Sequence, residues 1–315
     1  MAGRGLTIVA LAVLLAGCSA SASPTPAPTP APTPAPTPPP TLMAAKVVAT
    51  APAGQLIKAG VLTVCSDTSA PPQESLDTSN NAVGSDIDLI KEIAARMGLT
   101  ATVETTAWDS LIPALTGGSC DIIISAMTIA VDRQAQVDMI PYFAAGQSFI
   151  VLKGNPSNIK SIDDLCGKAV GAWPVEADHI AGTGLGYDNT NSLDANCTAK
   201  GKPAITLQQF DEDTSALLAL QAGTIVAYFI DEPEAGYRVA QGAGKFELVG
   251  AMTLDRRAEG ISVTKNHTGL RDAVKAALLS MINDGTYTQI LTKWGVQSGG
   301  ITAADVNATP LPAAS

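Results

Sequence analysis

The stretch DIIISAMTIAVDRQ, residues 121–134, changes within a few positions from an apolar strand to a polar segment. Its three consecutive isoleucines predict a strand that is covered on both faces, as in a parallel sheet. Ser125 and Thr128 follow at the carboxyl end of this strand, and Arg133 lies near the start of the next predicted helix. Ligands of open α/β sheets bind beyond the carboxyl ends of the strands. Two hydroxyls, the free N–H groups of a helix start and a guanidinium together suit a carboxylate.

Strands and helices alternate on both sides of this stretch. Before it lie an apolar strand at 61–65, a helix that Asp86 can cap and Gly98 ends, an alternating strand and a short helix from Asp109. This order predicts a parallel βαβαβ sheet with right-handed crossovers. A second set begins with a strand at 148–153, and a block of one strand and two helices closes the globular part. We therefore expect two α/β lobes, and the alternative is a single doubly wound sheet.

Lobe boundaries follow from the point where the alternating order restarts. The predicted first lobe comprises residues 55–146 and 253–296, and the predicted second lobe comprises residues 147–252. Residues 297–315 are expected to form a flexible tail. The chain would therefore cross between the lobes twice.

The amino terminus is typical of an exported protein. Arg4 precedes an apolar run at 6–16, which is too short to cross a bilayer as a mature helix. The run ends in LAGC, which resembles the lipobox of bacterial lipoproteins and implies a signal peptide at 1–17 and a lipid on Cys18. A plain secretory signal with a chance cysteine is the alternative. Residues 18–54, rich in Pro, Thr and Ala, are predicted to form an extended linker.

Composition excludes some classes of partner. The 315 residues carry a formal net charge of −10 and contain no basic block. Nucleic acid binding needs clustered Lys and Arg, so we expect no nucleic-acid partner. The two histidines are far apart in the sequence and give no metal-ligand spacing, so no metal or other cofactor is expected.

Five cysteines are present, and four remain for disulfides if Cys18 carries a lipid. We expect Cys166 to pair with Cys197, since the first opens a predicted strand and the second lies in a loop rich in Asn, Thr and Gly. Cys65 and Cys120 fit less well, because parallel pairing would put them at opposite edges of the sheet. Other connectivities stay open.

The second predicted lobe supplies a counterpart to Arg133. Its strand AYFIDEP ends in Asp231, again at a carboxyl edge, and the first strand of the chain leads into Asp67. One arginine with acids opposite would fit a ligand that carries both an acid and an amine.

At this point the sequence resembles a known family. The segments GSDIDLIKEIAARMG, AWDSLIPAL, AMTIAVDR, YFIDEP and DGTYTQILTKWG are similar to those of the extracellular solute-binding proteins of family 3, which serve amino-acid ABC importers. The likeness covers roughly residues 57–296. It implies an α/β, two-lobed periplasmic-binding-protein (venus flytrap) fold with two hinge strands, in which a ligand between the lobes favours the closed form.

The resemblance also implies roles for single residues. Arg133 corresponds to the family's arginine for the ligand α-carboxylate, and Ser125 and Thr128 to its supporting residues. Asp231 corresponds to the second-lobe acid for the α-amino group. From the residues alone, Arg133 could instead pair with a nearby aspartate on a helix surface, and Asp231 could cap a helix.

Two further positions match the family's ligand contacts. Asp67 occupies the position of the first-strand acid, and Trp108 that of an aromatic platform. The alternatives are a turn role for Asp67 and a place in the ordinary core for Trp108.

The sequence departs from the family pattern in the second lobe, where it reads GAWPVEAD. Trp173 could form an aromatic wall there, and Glu176 could put another carboxylate in the cleft; both could equally point elsewhere. If Glu176, Asp67 and Asp231 all face the ligand, a cationic amino acid is favoured, with Trp108 offering a cation–π face.

The expected function is that of the solute-binding component of an ABC importer. It would capture a small amino acid or related zwitterion and deliver it to an ABC permease, as a monomer anchored by lipid to the outer face of the membrane. No catalytic signature such as G-x-S-x-G is present, so we expect no enzyme activity. The alternatives are a sensing module for a separate signalling partner and an enzyme similar to cyclohexadienyl dehydratase.

Overall fold

The computed structural model describes residues 46–183, 187–249 and 254–308. The predicted signal peptide, the lipidation at Cys18 and the linker up to residue 45 lie outside the described residues. Among the residues that are described, no helix has the length and apolar character needed to span a membrane.

Eleven strands are found in the described part of the chain. In chain order they are β1 (Val61–Ser66), β2 (Ser75–Leu76), β3 (Ala82–Val83), β4 (Thr100–Thr105), β5 (Ile122–Ile123), β6 (Val137–Leu152), β7 (Ala169–Ala172), β8 (Thr206–Gln209), β9 (Ala227–Asp231), β10 (Phe246–Leu248) and β11 (Leu254–Thr264). Strands β2 and β3 pair as a small separate ribbon, and all the others belong to one sheet.

Ten α-helices surround this sheet within the described ranges. They are α1 (Ser85–Arg96), α2 (Leu111–Thr116), α3 (Val131–Gln136), α4 (Pro174–Ala181), α5 (Leu193–Ala199), α6 (Asp213–Ala222), α7 (Glu232–Gln241), α8 (Thr268–Asp284), α9 (Thr286–Trp294) and α10 (Ala303–Asn307). One-turn 3-10 helices lie at Trp108–Ser110, Ile162–Asp164 and Gln297–Gly299.

The first lobe is built on the strand order β4-β1-β5-β11. Strands β4 and β5 both pair with β1 in parallel, and β11 closes the set in the antiparallel direction. Side chains alternate between two covered faces: Leu62 and Val64 join the core under α1, α8 and α9, whereas Cys65 joins the core under α2. The predicted parallel βαβαβ sheet is therefore present, with polar residues following β5 at its carboxyl end.

The second lobe repeats this plan with the order β9-β7-β8, in which both pairings to β7 are parallel. Strand β9 also has two buried faces, since Ala227 and Phe229 pack on one side and Tyr228 and Ile230 on the other. Each lobe thus has a sheet between two layers of helices.

Two long strands join the lobes. Strand β6 pairs with β11 over its first part and with β9 and β10 over its last part. The partners change at Gln147, which lies opposite both Leu254 of β11 and Asp231 of β9. Strand β6 begins at Val137, well before the predicted strand at 148–153. It runs through Pro141 because the ladder to β11 shifts register beside Pro141, which has no N–H to donate.

The start of α1 differs from the sequence expectation that Asp86 caps it. The carbonyls of Pro72 and Gln73 accept the first N–H groups of the helix, those of Ser85 and Asp86, at 3.0 Å each. The Asp86 carboxylate instead accepts hydrogen bonds from the Tyr142 hydroxyl (2.5 Å) and from a backbone N–H. The loop after β1 therefore replaces the side-chain cap.

Both ends of the globular part carry more order than the sequence indicates. Residues 46–54, assigned from the sequence to the linker, run along the first lobe, where the Val48 N–H donates to the Arg96 carbonyl at 2.8 Å. Part of the segment expected to be a flexible tail forms α10, which buries Val306 in the core of the first lobe. A capping box at Thr302 starts this short helix.

Two disulfides are present. Cys166 and Cys197 are joined, as paired from the sequence, with Cα atoms 5.6 Å apart. Cys65 and Cys120 are also joined, with Cα atoms 5.8 Å apart, so the expectation that they fit poorly was wrong. It assumed that Cys120 lies within the strand, whereas β5 begins at Ile122 and the chain bends just before it. Both cysteines consequently lie in the buried cluster under α2.

Replacing Cys65 and Cys120 together by serine should lower the free energy of unfolding by about 2–4 kcal/mol. Without the disulfide the unfolded chain gains conformational entropy, and the two serines place polar groups in a buried cluster. Guanidinium chloride unfolding followed by circular dichroism measures this change. Thiol titration of the denatured protein is the check: free thiols from these two cysteines in the unmodified protein, with unchanged stability of the variant, would contradict the second disulfide.

Candidate functional site

A cavity of about 380 Å³ lies between the two lobes. The first lobe contributes the loops after β1, β4 and β5 together with Arg133 of α3. The second lobe contributes the ends of β8 and β9 and the starts of α4 and α7. The cavity is thus formed at carboxyl ends of strands from both lobes, where such sheets bind ligands.

Most of the sequence-predicted site residues meet in this cavity. Its wall contains the following six of them: Asp67, Trp108, Thr128, Arg133, Glu176 and Asp231. Ser125 is the exception. Its hydroxyl is fully buried behind the wall, where it accepts the Asp67 N–H at 2.9 Å and donates to Glu74 at 3.1 Å. Ser125 therefore supports the loop after β1 rather than the cavity surface.

Arg133 is held at the cavity wall by its own lobe. It is 9% exposed, and its Nη1 donates to the Thr128 carbonyl at 2.8 Å. The guanidinium lies 5.3 Å from the centroid of the Trp108 ring, a cation–π contact. Burial lowers the pKa of Arg133, and the nearby acids Asp132 and Asp231 oppose this shift. The side chain therefore points towards the second lobe and not along a helix surface.

Asp231 ends β9 and occupies the position just before α7. Its side chain makes no capping hydrogen bond to this helix. Burial raises the pKa of Asp231 to about 6, whereas Glu176 and the charge of Arg133 act in the opposite direction. Asp231 lines the cavity together with Arg133 of the other lobe, and the two charges interact.

Glu176 lies in the first turn of α4 and is 2% exposed. Burial, followed by the charge of Asp231, raises its pKa well above the usual range. Its neighbour Trp173 precedes α4 and also lines the cavity. The GAWPVEAD segment therefore contributes both an aromatic surface and a further carboxyl group to the wall of the second lobe.

Sequence reasoning missed Glu74. It lines the cavity from the first lobe, is 1% exposed, and has a pKa raised by burial and by the charges of Asp86 and Glu259. The feature of the sequence that could have indicated Glu74 as a site residue is its position in the polar loop that follows β1. That loop folds back onto the start of α1, so that Glu74 comes to lie beside Ser125.

Acids dominate the cavity wall. In the part of the chain that the structure describes, the lining includes one basic residue, Arg133, and seven acids: Asp67, Glu74, Asp109, Glu176, Asp211, Asp231 and Glu234. Such a surface attracts cations and repels anions. Nothing in the described residues has the arrangement of three or more His, Cys, Asp or Glu ligands that a metal ion needs.

Residues 62–297 match the family of bacterial extracellular solute-binding proteins, family 3. The chain belongs to this family. Its two lobes and two connecting strands have the periplasmic-binding-protein fold of its solved structural neighbours. The match covers both lobes and the strands between them.

Several relatives are binding proteins for amino acids. The chain is 28% identical over 256 residues to the arginine-binding protein ArgT of Corynebacterium glutamicum, with 81% of each chain covered. It is 34% identical to an ancestral arginine-binding protein solved with arginine, covering 75% of this chain and 98% of that one, with a TM-score of 0.61. An ancestral amino acid-binding protein, a precursor of cyclohexadienyl dehydratase, is 28% identical over 75% of this chain and 95% of that one, with a TM-score of 0.60.

Replacing Ser125 by alanine should lower the free energy of unfolding by about 1–3 kcal/mol, because the Asp67 N–H and the Glu74 carboxyl each lose a buried partner. Urea unfolding measures this loss. The matched control is Ser79→Ala, since Ser79 is exposed and should change the stability little. Equal stabilities of the two variants would contradict the supporting role of Ser125.

Proposed function

We propose that this protein is the solute-binding component of an ABC importer and that its ligand is a cationic amino acid such as arginine or lysine. The observation that carries this proposal is the cavity between the lobes, where Arg133 of one lobe faces Asp231 of the other within a wall of acids. Membership of the family and the arginine-binding relatives support it.

The two ends of an α-amino acid suit the two sides of this cavity. The guanidinium of Arg133 would bind the α-carboxylate through parallel charge-assisted hydrogen bonds, with Thr128 beside it. Asp231 would accept from the α-ammonium group. Because the two residues belong to different lobes, one ligand molecule bound to both would stabilise the closed arrangement over the open one.

The remaining acids favour a second positive charge on the ligand. A neutral amino acid would leave Asp67, Glu74 and Asp109 of the first lobe without a cation, whereas a guanidinium or ammonium side chain would approach them beside Trp108. The Trp108 ring adds a cation–π surface on that side. These residues therefore form the proposed subsite for the side chain of the ligand.

Anchoring to the membrane is a separate part of the proposal. The LAGC sequence that ends in Cys18 and the Pro-rich segment after it support a lipidated protein on the outer face of the membrane, and we expect this protein to be a monomer. A lipid at Cys18 would keep the binding domain near its permease, and the extended linker would set its reach.

An enzyme similar to cyclohexadienyl dehydratase is the second candidate, favoured by the structural likeness to a precursor of that enzyme. The excess of acidic residues in the cavity wall disfavours this enzyme activity. The substrate prephenate carries two carboxylates, and a wall of acids with one guanidinium would repel it. Binding without turnover is therefore the function that the cavity supports best.

Isothermal titration calorimetry tests the ligand class and the main ion pairs. Arginine and lysine should bind, and Arg133→Ala should weaken arginine binding at least a hundredfold, because the charged carboxylate loses its partner. Lys153→Ala is the matched control, since Lys153 is an exposed basic residue outside the cavity. Heat from a neutral or acidic amino acid but none from arginine or lysine would overturn the cationic assignment.

The affinity for arginine should rise between pH 5 and pH 7. Asp231 has a pKa of about 6 in the free protein, and its protonated form cannot pair with an ammonium group. Between pH 7 and pH 5 the ionised fraction falls, and the affinity should fall about tenfold from this residue alone. Titrations at three pH values check this slope, which should be flatter in Asp231→Asn; an affinity that is equal or higher at pH 5 would contradict the role of Asp231.

A further inference from the structure

A series of hydrogen-bonded polar side chains leads from β6 to the wall of the second lobe. It starts at Gln147, the residue of β6 that pairs with both β9 and β11. Gln147 is 6% exposed and lies directly beside Asp231 in the β6–β9 ladder. Its side chain reaches into the second lobe, where it contacts His179 and Glu176 of α4.

The two ends of the Gln147 amide have different partners. Nδ1–H of His179 donates to Oε1 of Gln147 at 2.5 Å, which turns the amide nitrogen towards Glu176. Nε2 of Gln147 then donates to Oε1 of Glu176, with 3.5 Å between the two atoms. Because an amide has a donor end and an acceptor end, the proton on His179 decides which end Glu176 meets.

His179 is itself fixed in the second lobe. It is 5% exposed, and its ring stacks on Tyr187 at 3.9 Å with the planes 9° apart. The Tyr187 hydroxyl donates to Asp255 of β11, and Arg257 lies over the same tyrosine ring. The orientation of the Gln147 amide is therefore set by His179 of α4, which is supported through Tyr187 by Asp255 and Arg257 of β11.

Glu176 lies beside Asp231. Beyond the effect of burial, the charge of Asp231 helps to raise the pKa of Glu176, and a hydrogen bond between the two carboxyl groups raises the pKa of Glu176 and lowers that of Asp231. Two carboxyl groups at one place suit a ligand group with several N–H donors. An ammonium group has three, so it can donate to both acids at once. The neutral donor from Gln147 would orient the Glu176 carboxyl group without adding a charge, so that the ammonium group of the ligand supplies the positive charge that favours the ionised form of Glu176.

We infer that Glu176 and Asp231 together accept the α-ammonium group of the ligand and that Gln147 and His179 are positioning residues, which orient Glu176 for this contact. The inference rests on the proposed function and adds to it a second acceptor for the α-ammonium group, Glu176, and the residues that orient this acceptor. Gln147 and His179 touch no ligand themselves in this arrangement; they act through Glu176.

The test compares two ligands that differ only at the α position. Arginine carries an α-ammonium group, and argininic acid carries a hydroxyl there. The ratio of their dissociation constants, measured by calorimetry, reports recognition of the ammonium group. In Gln147→Leu this ratio should fall about tenfold, since Glu176 loses its orienting donor. Gln241→Leu is the matched control at an exposed glutamine and should keep the wild-type ratio.

Two variants of His179 separate positioning from packing. His179→Asn keeps an N–H donor near the place of Nδ1 but removes the stacked ring, and it should keep most of the wild-type ratio. His179→Phe keeps the stacked ring but removes the donor, and it should lower the ratio as Gln147→Leu does. Thermal unfolding of each variant confirms that it is folded.

The outcomes are distinguishable. A wild-type protein that binds neither ligand would overturn the proposed function and this inference with it. A wild-type protein that prefers arginine, with the same ratio in Gln147→Leu and His179→Phe, would overturn the inference alone. A lower affinity for both ligands by the same factor in these variants would likewise show a structural role and contradict positioning.

Discussion

The charge imbalance of the cleft is the constraint on which the account of this protein depends. Carboxyl groups from both lobes line one cavity, and the basic residue among the described lining residues is Arg133. Bringing such groups together in a buried place is unfavourable, and the raised pKa values of Glu74 and Glu176 express this cost. A ligand with more positive than negative charge relieves it, and because the acids belong to both lobes, the relief is greatest when the lobes are closed.

The connecting strands β6 and β11 link this electrostatic constraint to the relative movement of the two lobes. Strand β6 pairs first with β11 and then with β9, and Gln147 lies at the change of partner. Asp231, at the end of β9, is the direct neighbour of Gln147 in the ladder, so an acid of the cavity wall is joined to β6 by strand pairing. A change in the angle between the lobes must therefore move Asp231 relative to Arg133, which belongs to the other lobe.

Much of the fold could be predicted from the sequence, because local patterns determine it. Apolar strands bounded by capped helices indicated the two α/β lobes, and the polar residues after two strand ends indicated Arg133 and Asp231 as neighbours across a cleft. Features that depend on a change of chain direction could not be predicted. The Cys65–Cys120 disulfide requires the bend before β5, and the burial of Glu74 requires the loop after β1 to fold back onto α1. Neither bend has a periodic pattern in the sequence.

The most direct test is a crystal structure of the domain with bound arginine. The account predicts one arginine molecule between the lobes, with its α-carboxylate on the guanidinium of Arg133 and its α-ammonium on Asp231, at hydrogen-bond distances of about 2.7–3.0 Å. Arginine bound outside the cleft, or bound in the cleft with its carboxylate away from Arg133, would contradict the central claim.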